Sequence, residues 1–173
     1  MKNLIQELPD QIADDGGTHE REQRLIDRRK VVAFDLAEEL YGLDIGKVSA
    51  ILSPLPAMPI PRTPAHVIGI INLRGGLLPL IDLRIIFDLP VTAADEETHI
   101  VVVENGEQKI GIIVDRVWEL LRLSPQSFQP APARIDRADL EYFPEVAAVK
   151  ERMLIMIDID KLIADTTAAG IGR

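Results

Sequence analysis

Apolar and polar positions alternate with a period of two over much of the chain, the spacing of half-buried strands. Val32, Phe34 and Leu36 alternate with Ala33 and Asp35, and Tyr41, Leu43 and Ile45 return on one face after a turn at 37–40. Residues 47–52 continue mostly apolar, as a helical turn or a third strand. Ile70-Ile71 and the run 77–81 then flank a polar knot of Asn72, Arg74, Gly75 and Gly76. Paired glycines take positive φ at no steric cost, which predicts a tight antiparallel turn there. A second hairpin is signalled by Asn105-Gly106 between the β-branched runs 100–103 and 109–114. Strand character runs on over 115–123, with Val117, Leu121 and Leu123 on one side. Trp118 and Leu120 fall on the other, so both faces are expected to be at least partly covered. A last hairpin joins 141–149 to 153–157 through a turn at 150–152, and single helical turns are expected at 65–68, 84–89 and 160–164.

Between these runs the chain is punctuated. Pro54, Pro56, Pro59, Pro61 and Pro64 remove backbone donors and fix φ, predicting a stiff extended connector, with a ligand for proline-reading domains as the alternative. Residues 91–98 are polar and acidic and mark a joint, and 124–139 is irregular, with Pro125, Pro130 and Pro132. Residues 1–30 carry charges of both signs with little to bury and read as a mobile leader, or as a short polar helix over 18–29. Many short strands with single-turn helices predict an all-β fold. The halves echo one another, and two barrels packed side by side fit the length better than one sandwich. The expected layout is leader 1–30, a body over 31–165 and a tail at 166–173. Within the body, one subdomain holds 31–90 plus a C-terminal return and the other holds 98–150.

Composition narrows the function. The 173 residues are 47% hydrophobic but only 4% aromatic, so Ile, Leu and Val must fill the interior. A formal charge of −9 repels phosphate backbones, which argues against nucleic acid as a partner. The absence of cysteine removes disulfides, thiolate metal sites and thiol nucleophiles together. No apolar run reaches the length of a membrane span and no signal-peptide pattern opens the chain, so a cytoplasmic protein without membrane insertion is expected.

Reactive groups have no obvious home. His19, His66 and His99 share no metal-ligand spacing. Gly75-Gly76 is followed by neither lysine nor helix and is no phosphate loop. Asp158 and Asp160 fall on one face of a period-two run; with His99 they define a small metal-dependent hydrolase as one reading, and a solvated strand end or helix cap as the other. No cofactor is implied. What remains is an aliphatic body whose two lobes create a groove, a shape that takes an amphipathic helix. Arg74, a five-donor cation on an apolar hairpin, is either a solvated turn residue or an anchor for another protein.

Several blocks together resemble the CheW family of bacterial chemotaxis adaptors. They are Tyr41-Gly42-Leu43-Asp44-Ile45 with Lys47-Val48, Gly69-Ile70-Ile71-Asn72-Leu73-Arg74-Gly75, Pro79-Leu80-Ile81-Asp82-Leu83-Arg84, Gly111-Ile112-Ile113-Val114-Asp115 and Met153-Leu154-Ile155. The likeness covers about 31–163, in order and at family-like spacing. It implies two five-stranded SH3-like barrels without an active site, coupling the hairpin tip of a chemoreceptor to the regulatory domain of the histidine kinase CheA. Location at receptor arrays on the inner face of the membrane follows, and self-assembly into rings stays open. Carried over, the receptor-binding groove comprises Val48, Ile51, Gly69, Arg74, Gly75, Gly111 and Val117. The chain departs from the family pattern at Ala50, where glutamate is common, at His99, and at Pro144-Glu145. A sister pathway with pilus motility or another output is the alternative, and a proline-motif-reading module a further one.

Overall fold

Alternation dictates the architecture because each strand has two apolar faces to bury. A computed structural model describes residues 15–132 and 140–167. Helix α1 (Asp15–Ile26) comes first, and the side chains described for it are exposed, as a polar sequence with only Leu25 and Ile26 to bury requires. Eleven strands follow among the described residues: β1 (Arg29–Leu36), β2 (Glu39–Asp44), β3 (Val48–Leu52), β4 (Val67–Leu73), β5 (Gly76–Ile81), β6 (His99–Glu104), β7 (Lys109–Val114), β8 (Arg116–Leu123), β9 (Phe128–Pro130), β10 (Glu145–Val149) and β11 (Arg152–Met156). Helix α2 (Leu83–Ile86) follows β5, and α3 (Ile159–Thr166) follows β11.

The strands form two sheets, one ordered β8-β1-β2-β11-β10-β9 and one ordered β3-β6-β7-β5-β4. The all-β class and the two-lobe organisation are those expected; the first sheet carries the short β9 as a sixth strand, in a proline-bearing stretch read as irregular. The expected grouping, 31–90 against 98–150, is corrected. Segment 48–114 makes the second sheet alone, and the first joins 29–44 to 116–156. The reason is nonlocal pairing: β2 runs parallel to β11 (Leu40 beside Leu154), and β5 parallel to β7 (Leu80 beside Gly111). Residues 1–14, 133–139 and 168–173 lie outside the described residues, and with them most of the leader and of the tail.

Period two sorts the side chains into three apolar clusters. From β1, Phe34 and Leu36 enter a central core shared by both sheets, while Val31 and Ala33 enter a smaller one on the first sheet's other face. From β6, Val101 and Val103 join the central core, while Ile100 and Val102 enter a third cluster with Ile71, Leu78 and Leu80. The scarce aromatics gather at the joint, where Tyr41 stacks on Phe34 and Phe87 at centroid distances of 6.2 and 5.8 Å. Trp118 and Leu120 stay about half exposed, so the outer face of β8 is less covered than expected.

One buried ion cluster ties the lobes. Arg84 is 5% exposed and Asp82 2%. The Arg84 guanidinium donates to both Asp82 oxygens at 2.9 and 2.8 Å and to Asp115 Oδ1 at 2.7 Å. Asp82 also caps α2, accepting from the Arg84 amide at 3.0 Å. Asp115 stands at the crossover between sheets, and its Oδ2 accepts from the Ala37 amide at 2.6 Å, in the turn between β1 and β2. Hydrogen bonding to Asp82 holds the Arg84 pKa above its ordinary value despite desolvation, with the Asp82 and Asp115 charges adding to it. The D-L-R block and the G-x-x-x-D block are thus parts of one brace.

Candidate functional site

The β4–β5 hairpin builds the site. Register places Leu73 opposite Gly76, so the turn is Arg74-Gly75, with φ of 51° and 81°. Two positive φ values at the central positions match the right-handed twist of the strands. The residues supplying them are Arg74 and Gly75 rather than the expected Gly75 and Gly76. Asn72 Oδ1 accepts from the Gly75 amide at 3.2 Å and steadies the bend. Arg74 therefore stands in water at the tip, and among the described residues its guanidinium makes no hydrogen bond or ion pair. Beside it lies a groove of about 400 Å³, floored by Ala50, Leu52, Leu73 and Leu78 and flanked by Leu77 and Lys109.

The other expected residues occupy three kinds of place. Ile51 is 44% exposed on β3, the strand whose neighbouring residues Ala50 and Leu52 form the far wall of that groove. Val48 and Val117 are half-buried and pack against the central core, Val117 from the first sheet. Gly69 and Gly111 are buried. A Cβ on Gly111 would lie 3.1 Å from Ile100 and 3.3 Å from Leu78 and Leu80, so this glycine makes room for the third cluster. A Cβ on Gly69 would lie 2.4 Å from the Met58 carbonyl oxygen, so it admits the proline connector. Arg74 and Gly75 are therefore brought together with the β3 face, and Gly69 and Gly111 support that face from within.

Two apolar side chains on the same hairpin face escaped the sequence reading, Met58 and Leu77, at 67% and 69% exposure. The signal for Leu77 was its place outside the alternation that buries Leu78 and Leu80. Met58 had no comparable signal, because proline runs hide periodicity.

The carboxylates considered for metal chemistry have structural partners. Asp158 caps α3, accepting from the Lys161 amide at 3.1 Å, and Asp160 pairs with Lys47 at 2.9 Å. His99 Nδ1 lies 2.6 Å from the Glu97 carbonyl. No group of three His, Asp or Glu residues that could hold a metal occurs among the described residues. No helix among them is long and apolar enough to cross a membrane.

Comparison with known proteins bears directly on this arrangement. The family model for the CheW-like domain matches residues 30–167. The chain is 37% identical over 141 residues to the chemotaxis protein CheW of Klebsiella aerogenes, covering 82% of this chain and 85% of that one. It is also 37% identical over 139 residues to the chemotaxis protein CheW of Treponema pallidum, covering 78% and 82%. In three dimensions it matches the crystal structure of the scaffolding protein TtCheW from Thermoanaerobacter tengcongensis, with a TM-score of 0.71 and 37% identity over 76% of this chain and 89% of that one.

Proposed function

The chain belongs to the CheW-like domain family, and on that premise we propose that it is a chemotaxis adaptor joining chemoreceptors to the histidine kinase CheA. The work is done by surfaces. One face takes the cytoplasmic hairpin tip of a receptor, another takes the regulatory domain of the kinase, and ring assembly with further copies extends the array at the inner face of the membrane. The observation that carries this reading is the unpaired Arg74 guanidinium at the lip of an aliphatic groove. An amphipathic helix buries its apolar face on Ala50, Leu52 and Leu77, and its polar edge meets a planar cation that needs no prior partner broken. The half-buried Val48 and Val117 and the packing glycines Gly69 and Gly111 hold the surrounding shape, with Ile51 exposed beside it.

The test is co-sedimentation with receptor-containing membranes and the kinase, reading kinase activity with and without the adaptor. Kinase activity and pelleted adaptor should both rise in the three-component mixture. Arg74→Ala should weaken receptor docking by about 1–4 kcal/mol, the range of an interface hot spot, with the melting temperature unchanged. A mixture whose kinase activity ignores the adaptor would refute the proposal.

A further inference from the structure

The connector between β3 and β4 is an irregular segment with an unusually well-anchored centre. At Met58 the backbone is clamped to β4: its amide donates to the Ile70 carbonyl at 2.8 Å, and the Ile70 amide donates back at 2.9 Å. Its carbonyl occupies the space a Cβ on Gly69 would fill. On either side, Ala57 packs on the third cluster and Ile60 on the central core, while Thr63 Oγ1 donates to the Ile60 carbonyl at 2.9 Å. Prolines at 54, 56, 59 and 61 restrict what is left. Yet the Met58 side chain stands in water. A rigid backbone under a large, flexible, exposed thioether is the build of a contact residue, because little backbone entropy remains to be lost on docking.

Register says what Met58 faces. It lies opposite Ile70, Ile70 opposite Pro79, and Asn72 opposite Leu77, and directly opposed residues project from the same side of a sheet. Ile70, Leu77 and Pro79 line a second groove, of about 330 Å³, and Leu77 and Lys109 line both this groove and the one beside Arg74. The apolar strip is thus continuous with the face read above as the docking site. Arg74 and Lys109 at its side favour acidic residues next to the apolar stripe of whatever lies in it.

From this we infer that Met58 is a specificity-determining contact for the receptor: its thioether packs on the apolar face of one receptor helix and sets which helices are accepted. The inference rests on the adaptor reading. Methionine is unbranched and polarizable, so it fits differently shaped side chains unequally without closing the site to any. Gly69 then acts through Met58. Its missing Cβ seats the connector, and it touches no partner itself.

Soluble cytoplasmic hairpins of several chemoreceptors, differing in the apolar residues at the tip, serve as probes in titrations with the full chain. If the wild-type chain binds none of them, the adaptor reading falls and this inference with it. If it binds, Met58→Ala should weaken binding about tenfold for the hairpins held best, and by unequal factors across the set. Met58→Leu should stay within about threefold of wild type, since it conserves volume. The melting temperature of both variants should match the wild type. Binding unchanged in Met58→Ala, or weakened equally for every hairpin, overturns the assignment. Gly69→Ala should weaken binding in the wild-type background and add little in the Met58→Ala background; a full additional loss would put Gly69 in direct contact and overturn its indirect role.

Discussion

Arg74 and Arg84 leave the same β-hairpin, one at its tip and one at its foot, and their surroundings are opposite. Arg84 is buried, with its guanidinium shared between Asp82 and Asp115 and the Thr92 carbonyl at 3.2 Å. Arg74 stands in solvent, has φ 51°, and has no ion pair among the described residues. Saturated donors cannot serve a partner, and an unsaturated cation does little for the fold. Two arginines in two neighbouring motif blocks therefore divide the labour: one locks the lobes, the other meets what docks on them.

The largest expected effect breaks the lock. Arg84→Ala leaves Asp82 buried without its counter-ion and should cost about 3–5 kcal/mol, read as a fall in urea midpoint. Arg84→Lys keeps the charge but loses the fork, and should fall between that variant and wild type. If Arg84→Ala unfolds at the wild-type midpoint and loses only receptor docking, the two arginines do not differ as described.

A smaller effect, of opposite sign, sharpens the contrast. A non-glycine residue in the left-handed region is strained by about 1–2 kcal/mol, and glycine there is not. Arg74→Gly should therefore stabilise the chain, by about 0.5–1 kcal/mol after glycine's extra unfolded entropy, while docking weakens as it does in Arg74→Ala. A variant that is both firmer and less able to bind separates stability from function at one position. Matching losses in both measurements would instead make Arg74 a structural residue.

How far these roles were legible in the sequence differs along the hairpin. Alternation displayed the strands, and Gly75 and Asn105-Gly106 displayed the turns, because these are local signals. Sheet membership was not legible, since pairing Leu40 with Leu154 leaves no mark on either segment. The motif blocks led to the family but not to what their residues do. Gly69 and Gly111 look like places of close partner approach in sequence, and in three dimensions they make room for the Met58 carbonyl and for Ile100. Asp115 reads as an isolated acid until the crossover brings it to Arg84. Period and turn chemistry report on neighbours in the chain, whereas the brace and the groove depend on neighbours across it.

The smallest effect concerns acid and falls on the Arg84 end alone. His66 precedes β4, and its carbonyl accepts from the Asp82 amide at 2.8 Å. Its Nε2 is buried and makes no hydrogen bond among the described residues, and burial pushes the imidazole pKa below its ordinary 6.5. In the unfolded chain the ring takes up its proton near that ordinary value, while the folded chain resists until lower pH. Stability should therefore be complete above about pH 6.5 and decline as pH falls through that value, levelling off below the folded pKa. His66→Gln should flatten this part of the midpoint-against-pH curve, and Arg74→Gly should leave it as in wild type. An unchanged slope in His66→Gln would move the acid sensitivity to other groups and leave the foot of the hairpin no more pH-dependent than its tip.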